Sequence, residues 1–358
     1  LPAVVGTKEA LEPGAPELHE TVPGNRGAFW RIDEGDADKA FRDAEVVVSL
    51  SLMNNRIIPT AIEARAILAS YTEFPGELTV WMTTQMPHGH RSTLARFFDL
   101  PEQKVRVIAP DVGGGFGAKG GFYPEDVIVP YLAKSLGRPV KWTQTRREDF
   151  ATTIHARDHE SEADLAAKRD GTLLGIRGRS YTNFGAYLSM AAAMIPTVSF
   201  THMLGGAYRM PAVQWEVTAA YTNTMSIDAV RGAGGSMAAL ILERLIEQLA
   251  REIGMDPVAI RRKNFIQPEQ FPFLSATGLS YDSGDYEAAL DVALKAFDYD
   301  AFREQQARLR AEGRYIGVGI ASFVHCTGFA PSRLARSPSA AHLRRTGGGI
   351  GFESAEIK

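Results

Sequence analysis

Apolar residues along this chain recur in two rhythms, every second position or every third to fourth, and the switches between them outline its elements. Glu45–Leu52 is rich in Val and alternates in its second half, predicting a strand. Arg65–Tyr71 and Leu78–Thr84 read as two more strands. Between them Phe74-Pro75-Gly76-Glu77 fits a type II turn, with Pro second and Gly third. Lys104–Ala109 and Val140–Thr143 are short apolar strands, and Glu160–Ala167 with Thr172–Tyr181 forms a long hairpin around Asp170-Gly171.

The helical rhythm is clearest after Ser236. Leu242, Leu245, Ile246, Leu249 and Ile253 share one face, and Gly254 marks the stop. Asp256-Pro257 caps a second helix through Lys263. Further helices are expected over Ala37–Ala44 behind Asp36, over Arg91–Asp99, and from Pro124 to Gly137 with a kink at Pro130. Two more follow, opening at Asp285 and covering Asp300–Glu312. Strands and helices mix without βαβ alternation and without an internal repeat, so the fold class expected is α+β.

A length of 358 residues predicts about two domains. Leu1–Arg26 is rich in Pro and Gly and reads as an extended linker, residues 1–26. A first domain over 27–272 and the start of a second over 273–358 follow. Phe352–Lys358 reads as the start of a strand lacking its partner, which points to a partial subunit. A hydrophobic fraction of 45% with 23% charged residues is that of an ordinary globular chain. A net charge of −3 gives no electrostatic reason to bind nucleic acid or an anionic membrane. No apolar run reaches the roughly 18 residues of a membrane span.

Cys326 is the one cysteine. That excludes an intrachain disulfide and favours a reducing compartment, the cytoplasm. It also excludes a self-contained iron–sulfur cluster or cysteine-based zinc site, which need several thiolates. His88-Gly89-His90 and His155…His159 have metal-like spacing but no acidic or cysteine partner, so no protein-ligated metal is expected. Glu63 and Glu125 are read as structural, and Arg146-Arg147-Glu148-Asp149 as a solvated surface run.

Two glycine-rich loops carry the chemistry. In the first, a strand runs into Gly113-Gly114-Gly115-Phe116-Gly117, where bare backbone N–H groups can approach a ligand. Its Gly115-Phe116-Gly117-Ala118-Lys119-Gly120 is formally a dinucleotide fingerprint. However, three residues intervene before Pro124, and Val140–Thr143 is followed by Gln144 and Thr145 rather than an acid, against a Rossmann site. The second loop is Arg231-Gly232-Ala233-Gly234-Gly235, just before the longest helix, a setting suited to an anion or oxo ligand.

Together these loops, in order and spacing, with the Glu243-Arg244-Leu245-Ile246 helix behind them, resemble the large subunits of molybdenum hydroxylases, the xanthine dehydrogenase and aldehyde oxidase family. Val140-Lys141-Trp142, the stretch from Arg262-Lys263-Asn264 to Phe271-Pro272, and Tyr281-Asp282-Ser283-Gly284 are similar to its carbon monoxide dehydrogenase branch. The likeness runs from about Pro23 to the end.

The resemblance implies mixed sheets and helices of the molybdenum-cofactor-binding domains. It implies a molybdenum–molybdopterin cofactor in its cytosine dinucleotide form, with Fe-S clusters and FAD on partner subunits. It assigns Gln85 to the apical side of molybdenum, and Gly114, Gly115, Phe116, Gly117 and Gly232 to the cofactor surface. Arg231 orients substrate and stabilises developing negative charge, and Phe323 walls the pocket. The implied reaction hydroxylates an aldehyde or heterocyclic carbon with oxygen from water. The implied partners are a 2Fe-2S small subunit, an FAD-binding medium subunit and the rest of the large subunit, in a dimer of heteromers. The general-base glutamate of the family lies in that remaining part, so this chain alone is expected to be inactive. Two departures bear on substrate. Copper-dependent carbon monoxide dehydrogenases carry a cysteine directly after the loop arginine, and Gly232 stands there. Xanthine-type enzymes carry a glutamate at the position of Gly120. A non-catalytic paralogue that docks to partner subunits is the remaining alternative.

Overall fold

A computed structural model describes residues 2–325. Cys326 and the strand expected at Phe352–Lys358 lie outside the described residues. The chain begins with a helical turn, α1 (Thr7–Ala10), then β1 (Arg26–Glu34), α2 (Ala37–Arg42) and β2 (Val46–Asn54). Next come β3 (Ala66–Thr72), β4 (Glu77–Met82), α3 (Pro87–Phe97), β5 (Val105–Ile108), α4 (Glu125–Leu136), β6 (Val140–Thr143) and α5 (Arg146–Thr152). The long strands β7 (His159–Ala167) and β8 (Leu173–Gly185), the single turn α6 (Phe200–His202) and β9 (Val213–Tyr221) precede α7 (Gly235–Glu252) and α8 (Pro257–Asn264). A small hairpin of β10 (Phe273–Leu274) and β11 (Ser280–Tyr281) leads to α9 (Tyr286–Phe297) and α10 (Tyr299–Ala311).

The strands form two main sheets, so the architecture is α+β as expected. One has the order β1-β9-β8-β7-β2 and is antiparallel except for the parallel β8–β9 pair. The other has the order β5-β4-β3-β6 with a parallel β4–β5 pair. Helix α7 lays its apolar stripe, Met237, Ile241, Leu242, Leu245, Ile246 and Leu249, into a core with Phe200, Val213 and Trp215. Burial of each large apolar side chain there contributes about 1.5–3 kcal/mol. A second core joins the smaller sheet, through Ile67, Leu78 and Val80, to Leu94 of α3 and Val129 of α4.

Caps fall where short acidic side chains precede a helix. Asp36 accepts from Lys39 N–H, Asp256 from Val258 and Ala259, and Asp285 from Ala288. Four expectations need correction. The helix expected from Arg91 opens at Pro87, because proline tolerates the first helical position, where its missing N–H costs nothing. The β3–β4 connection is not the turn foreseen: Gly76 takes φ +79°, but its N–H donates to Thr72 O, and the Phe74–Pro75 bond is cis. Arg146–Asp149 is the start of α5, with Thr145 and Glu148 forming a capping box; Arg147 and Glu148 are exposed as expected of a solvated run, but Asp149 is buried. The leading segment, expected as a linker, docks on the larger sheet: Ala10 and Asn25 are fully buried, and Val4 pairs with Asn223. Strands β1 and β9 went unforeseen.

Candidate cofactor site

The first glycine loop leaves β5 and turns through Gly114 (φ +92°), Phe116 (φ +55°) and Gly117 (φ +106°). Left-handed backbone is costly for side-chain-bearing residues, so Phe116 is held there against its preference, with its ring exposed. No helix opens on the loop; α4 starts only at Glu125, outside the dinucleotide-binding pattern.

Gln85 follows β4 and lies against this loop. Its side-chain Oε1 accepts from Gly117 N–H (3.0 Å) and Lys119 N–H (3.2 Å), and its own N–H donates to Lys119 O (2.9 Å). A Cβ on Gly115 would sit 2.4 Å from that Oε1, so the close approach requires glycine. With Oε1 engaged, the Gln85 amide NH2 is left to donate elsewhere.

The second glycine loop packs directly on the first. Arg231 N–H donates to Phe116 O at 2.8 Å, and a Cβ on Gly117 would lie 2.0 Å from Ala229 O. Arg157, which the sequence reading missed, holds this loop from below: its guanidinium donates to Val230 O (3.2 Å) and Arg231 O (2.6 Å). Only tertiary contact reveals that role, since the partners are 73 and 74 positions apart. The Arg231 side chain is exposed and has no recorded partner among the described residues. Among those residues the N–H groups of Gly115, Phe116 and Gly232 also have no recorded acceptor. The surface around the junction therefore presents backbone donors and the Arg231 guanidinium.

Gly232 takes φ +95°, and a Cβ there would meet Ser236 Cβ at 3.0 Å. The loop is shaped for glycine, not for a thiolate-bearing residue.

Glu63 and Lys119, not among the foreseen site residues, brace the first loop. Glu63 Oε2 accepts from Gly113 N–H (2.7 Å) and from Lys119 Nζ (2.8 Å). Burial pushes the Glu63 carboxyl up, but the hydrogen bonds from Lys119 and Gly113 and the lysine charge outweigh it and hold it below the usual value. Beneath the loop, burial raises the Tyr123 phenol to about 12, and its OH donates to Ala118 O at 2.7 Å.

Phe323 is carried by the segment that follows α10. It lies with Tyr286, Leu290 and Phe297 along an apolar groove of about 410 Å³, and is 69% exposed. One histidine of each pair is packed inside: His90 is buried, with Nδ1 near Thr84 Oγ1 and Met86 O and, against expectation, Nε2 3.5 Å from the Asp126 carboxylate, while His159 is enclosed edge-on to Phe200. Glu125 pairs with Arg65 at 3.2 Å.

Residues 18–265 match the family model of the molybdopterin cofactor-binding domain. The chain belongs to that family. It is 35% identical to the carbon monoxide dehydrogenase large chain of Hydrogenophaga pseudoflava, over 93% of this chain and 44% of that protein. It is 34% identical to the nicotine 6-hydroxylase large subunit of Paenarthrobacter nicotinovorans, over 92% of this chain and 40% of that one. The structure superposes on quinoline 2-oxidoreductase from Pseudomonas putida 86 with a TM-score of 0.84 at 34% identity, covering 90% of this chain and 41% of that one. The chain thus spans less than half the length of these relatives. The donor-rich junction fits the family's cofactor, whose oxo and phosphate oxygens are acceptors. No helix among the described residues is long and apolar enough to cross a membrane.

Proposed function

We propose that this chain supplies part of the molybdenum-cofactor site of a molybdenum hydroxylase large subunit, acting on an aldehyde or heterocyclic carbon. The observation that carries this reading is the Arg231–Phe116 bond, which gathers Gln85, the first glycine loop and Arg231 at one place. A bound molybdopterin in its cytosine dinucleotide form supplies the two-electron oxidation. Gln85 donates its free NH2 to an acceptor on the cofactor's face. The N–H groups of Gly115, Phe116 and Gly232 hold anionic oxygens, and Arg231 stabilises negative charge that develops on the substrate. Phe323 walls the substrate pocket in the same reading.

The division of the chain into 1–26, 27–272 and 273–358 belongs to the same reading. So do a cytoplasmic setting and assembly with 2Fe-2S and FAD subunits as a dimer of heteromers. Similarity to carbon monoxide dehydrogenase large chains favours carbon monoxide oxidation as the second reading. The left-handed, crowded Gly232 leaves no thiolate for copper beside Arg231 and speaks against it. The test is turnover by the native complex with aldehydes, N-heterocycles and carbon monoxide in parallel. Oxidation of an aldehyde or heterocycle is expected. Oxidation of carbon monoxide would establish the second reading, and inertness toward all three with cofactor present would point to a non-catalytic paralogue.

A further inference from the structure

We propose that Glu63 and Lys119 are positioning residues that clasp both ends of the first glycine loop and so set where Gln85 presents its amide. This rests on the reading of Gln85 given above. Glu63 lies on the β2–β3 connection, outside the loop it holds. It meets Gly113 by two reciprocal bonds: Glu63 N–H donates to Gly113 O (3.2 Å), and Gly113 N–H donates to Glu63 Oε2 (2.7 Å). A Cβ on Gly113 would sit 2.6 Å from Glu63 Cβ, so the approach is as close as glycine permits. The same Oε2 takes Lys119 Nζ at 2.8 Å. The lysine side chain is 2% exposed and the glutamate 35%, so the ammonium depends on this carboxylate for its charge partner.

Lys119 is also the residue whose backbone holds Gln85, through Lys119 N–H to Gln85 Oε1 and Gln85 N–H to Lys119 O. A single carboxylate oxygen therefore ties the entry of the loop, at Gly113, to its exit, at Lys119. Between those two points the backbone passes Gly115 and Phe116, whose N–H groups have no acceptor among the described residues. Loss of the carboxylate charge frees Lys119 to seek water, and the Gln85 amide moves with it. Outer groups of this kind act by orientation, and their removal costs about 10–100-fold in cofactor affinity or activity.

The test uses the native complex carrying Glu63→Gln, Lys119→Met, the double variant Glu63→Gln/Lys119→Met, Gln85→Ala, and Glu63→Gln/Gln85→Ala. Readouts are kcat and KM on the accepted substrate, molybdenum content, amide hydrogen exchange over residues 113–119, and the thermal midpoint of the complex. Glu63→Gln is expected to speed exchange across the loop and lower kcat about 10–100-fold with KM little changed. The double variant, in which no buried ammonium is left unpaired, keeps its thermal midpoint but not its kcat. In the Gln85→Ala background, Glu63→Gln adds nothing further. Wild-type exchange across the loop in Glu63→Gln would overturn the clasp. An undiminished loss in the Gln85→Ala background would overturn its action through Gln85. If Gln85→Ala alone leaves kcat and molybdenum content unchanged, the assignment of Gln85 fails instead, and loop exchange still decides whether the clasp sets the loop.

Discussion

The backbone N–H of Arg231 donates to the carbonyl of Phe116 at 2.8 Å, joining two glycine loops that lie far apart in the sequence. Gly117 makes the junction possible, since a Cβ there would come within 2.0 Å of Ala229 O. Gly117→Ala adds a left-handed strain to that clash and is expected to cost at least about 2 kcal/mol. Urea denaturation of the purified chain measures it; a cost within error of zero would mean that the two loops separate freely.

Gln85 does two jobs with one side chain, and substitution separates them. Gln85→Ala removes the acceptor for Gly117 and Lys119 N–H, a loss of about 1–2 kcal/mol in stability. It also removes a donor aimed at the cofactor, with kcat expected to fall about 100-fold. A fall in stability without a fall in kcat would reduce Gln85 to a loop brace.

Arg231 is exposed and without a recorded partner among the described residues, so its replacement should hardly touch folding. Arg231→Met is expected to lower kcat/KM about 100-fold, and Arg231→Lys less, about ten-fold, because a point charge remains without the planar fork. Steady-state kinetics on the complex checks this order; equal losses would argue against a role for the charge.

Much of the fold was legible where one residue type does one physical job. Asp36, Asp256 and Asp285 announced their helices as caps. The stripe of α7 announced its buried face. The glycine runs announced close backbone approach, and Gly114, Gly117 and Gly232 do take positive φ. Strand β9 was also legible in principle, for Val213, Trp215, Val217 and Ala219 alternate inward. Helix α5 was not, because Arg146-Arg147-Glu148-Asp149 reads as solvated surface until Asp149 is found buried against Arg146 and Thr153. Within the candidate site, the two glycine loops were legible and the contacts that join and brace them were not. The bonds that assemble them, Arg157 to Arg231 O and Lys119 to Glu63, span 74 and 56 positions, and no local pattern encodes such pairs. Phe323, assigned by resemblance, lies along an apolar groove with Tyr286 and Phe297.

His159 supplies a pH test of the larger sheet. It is fully enclosed, neither ring nitrogen has a recorded partner, and burial pulls its pKa down to about 3. The folded chain therefore keeps it neutral while the unfolded chain protonates it below about 6.5. Its contribution is fully present above about pH 6.5 and is lost as pH falls toward 3, at up to about 1.4 kcal/mol per pH unit. His159→Gln should flatten that part of the stability profile between pH 7 and 5, measured by urea denaturation against wild type. Parallel profiles would show that the ring protonates equally in both states.

The central claim, that the joined loops hold a molybdenum cofactor, is tested most directly by molybdenum and pterin analysis of the freshly purified native complex, beside the same complex carrying Gly117→Val. The account predicts molybdenum and pterin in equimolar amount with this chain in the wild-type complex, and little of either in the variant. A wild-type complex that assembles fully with neither would contradict it.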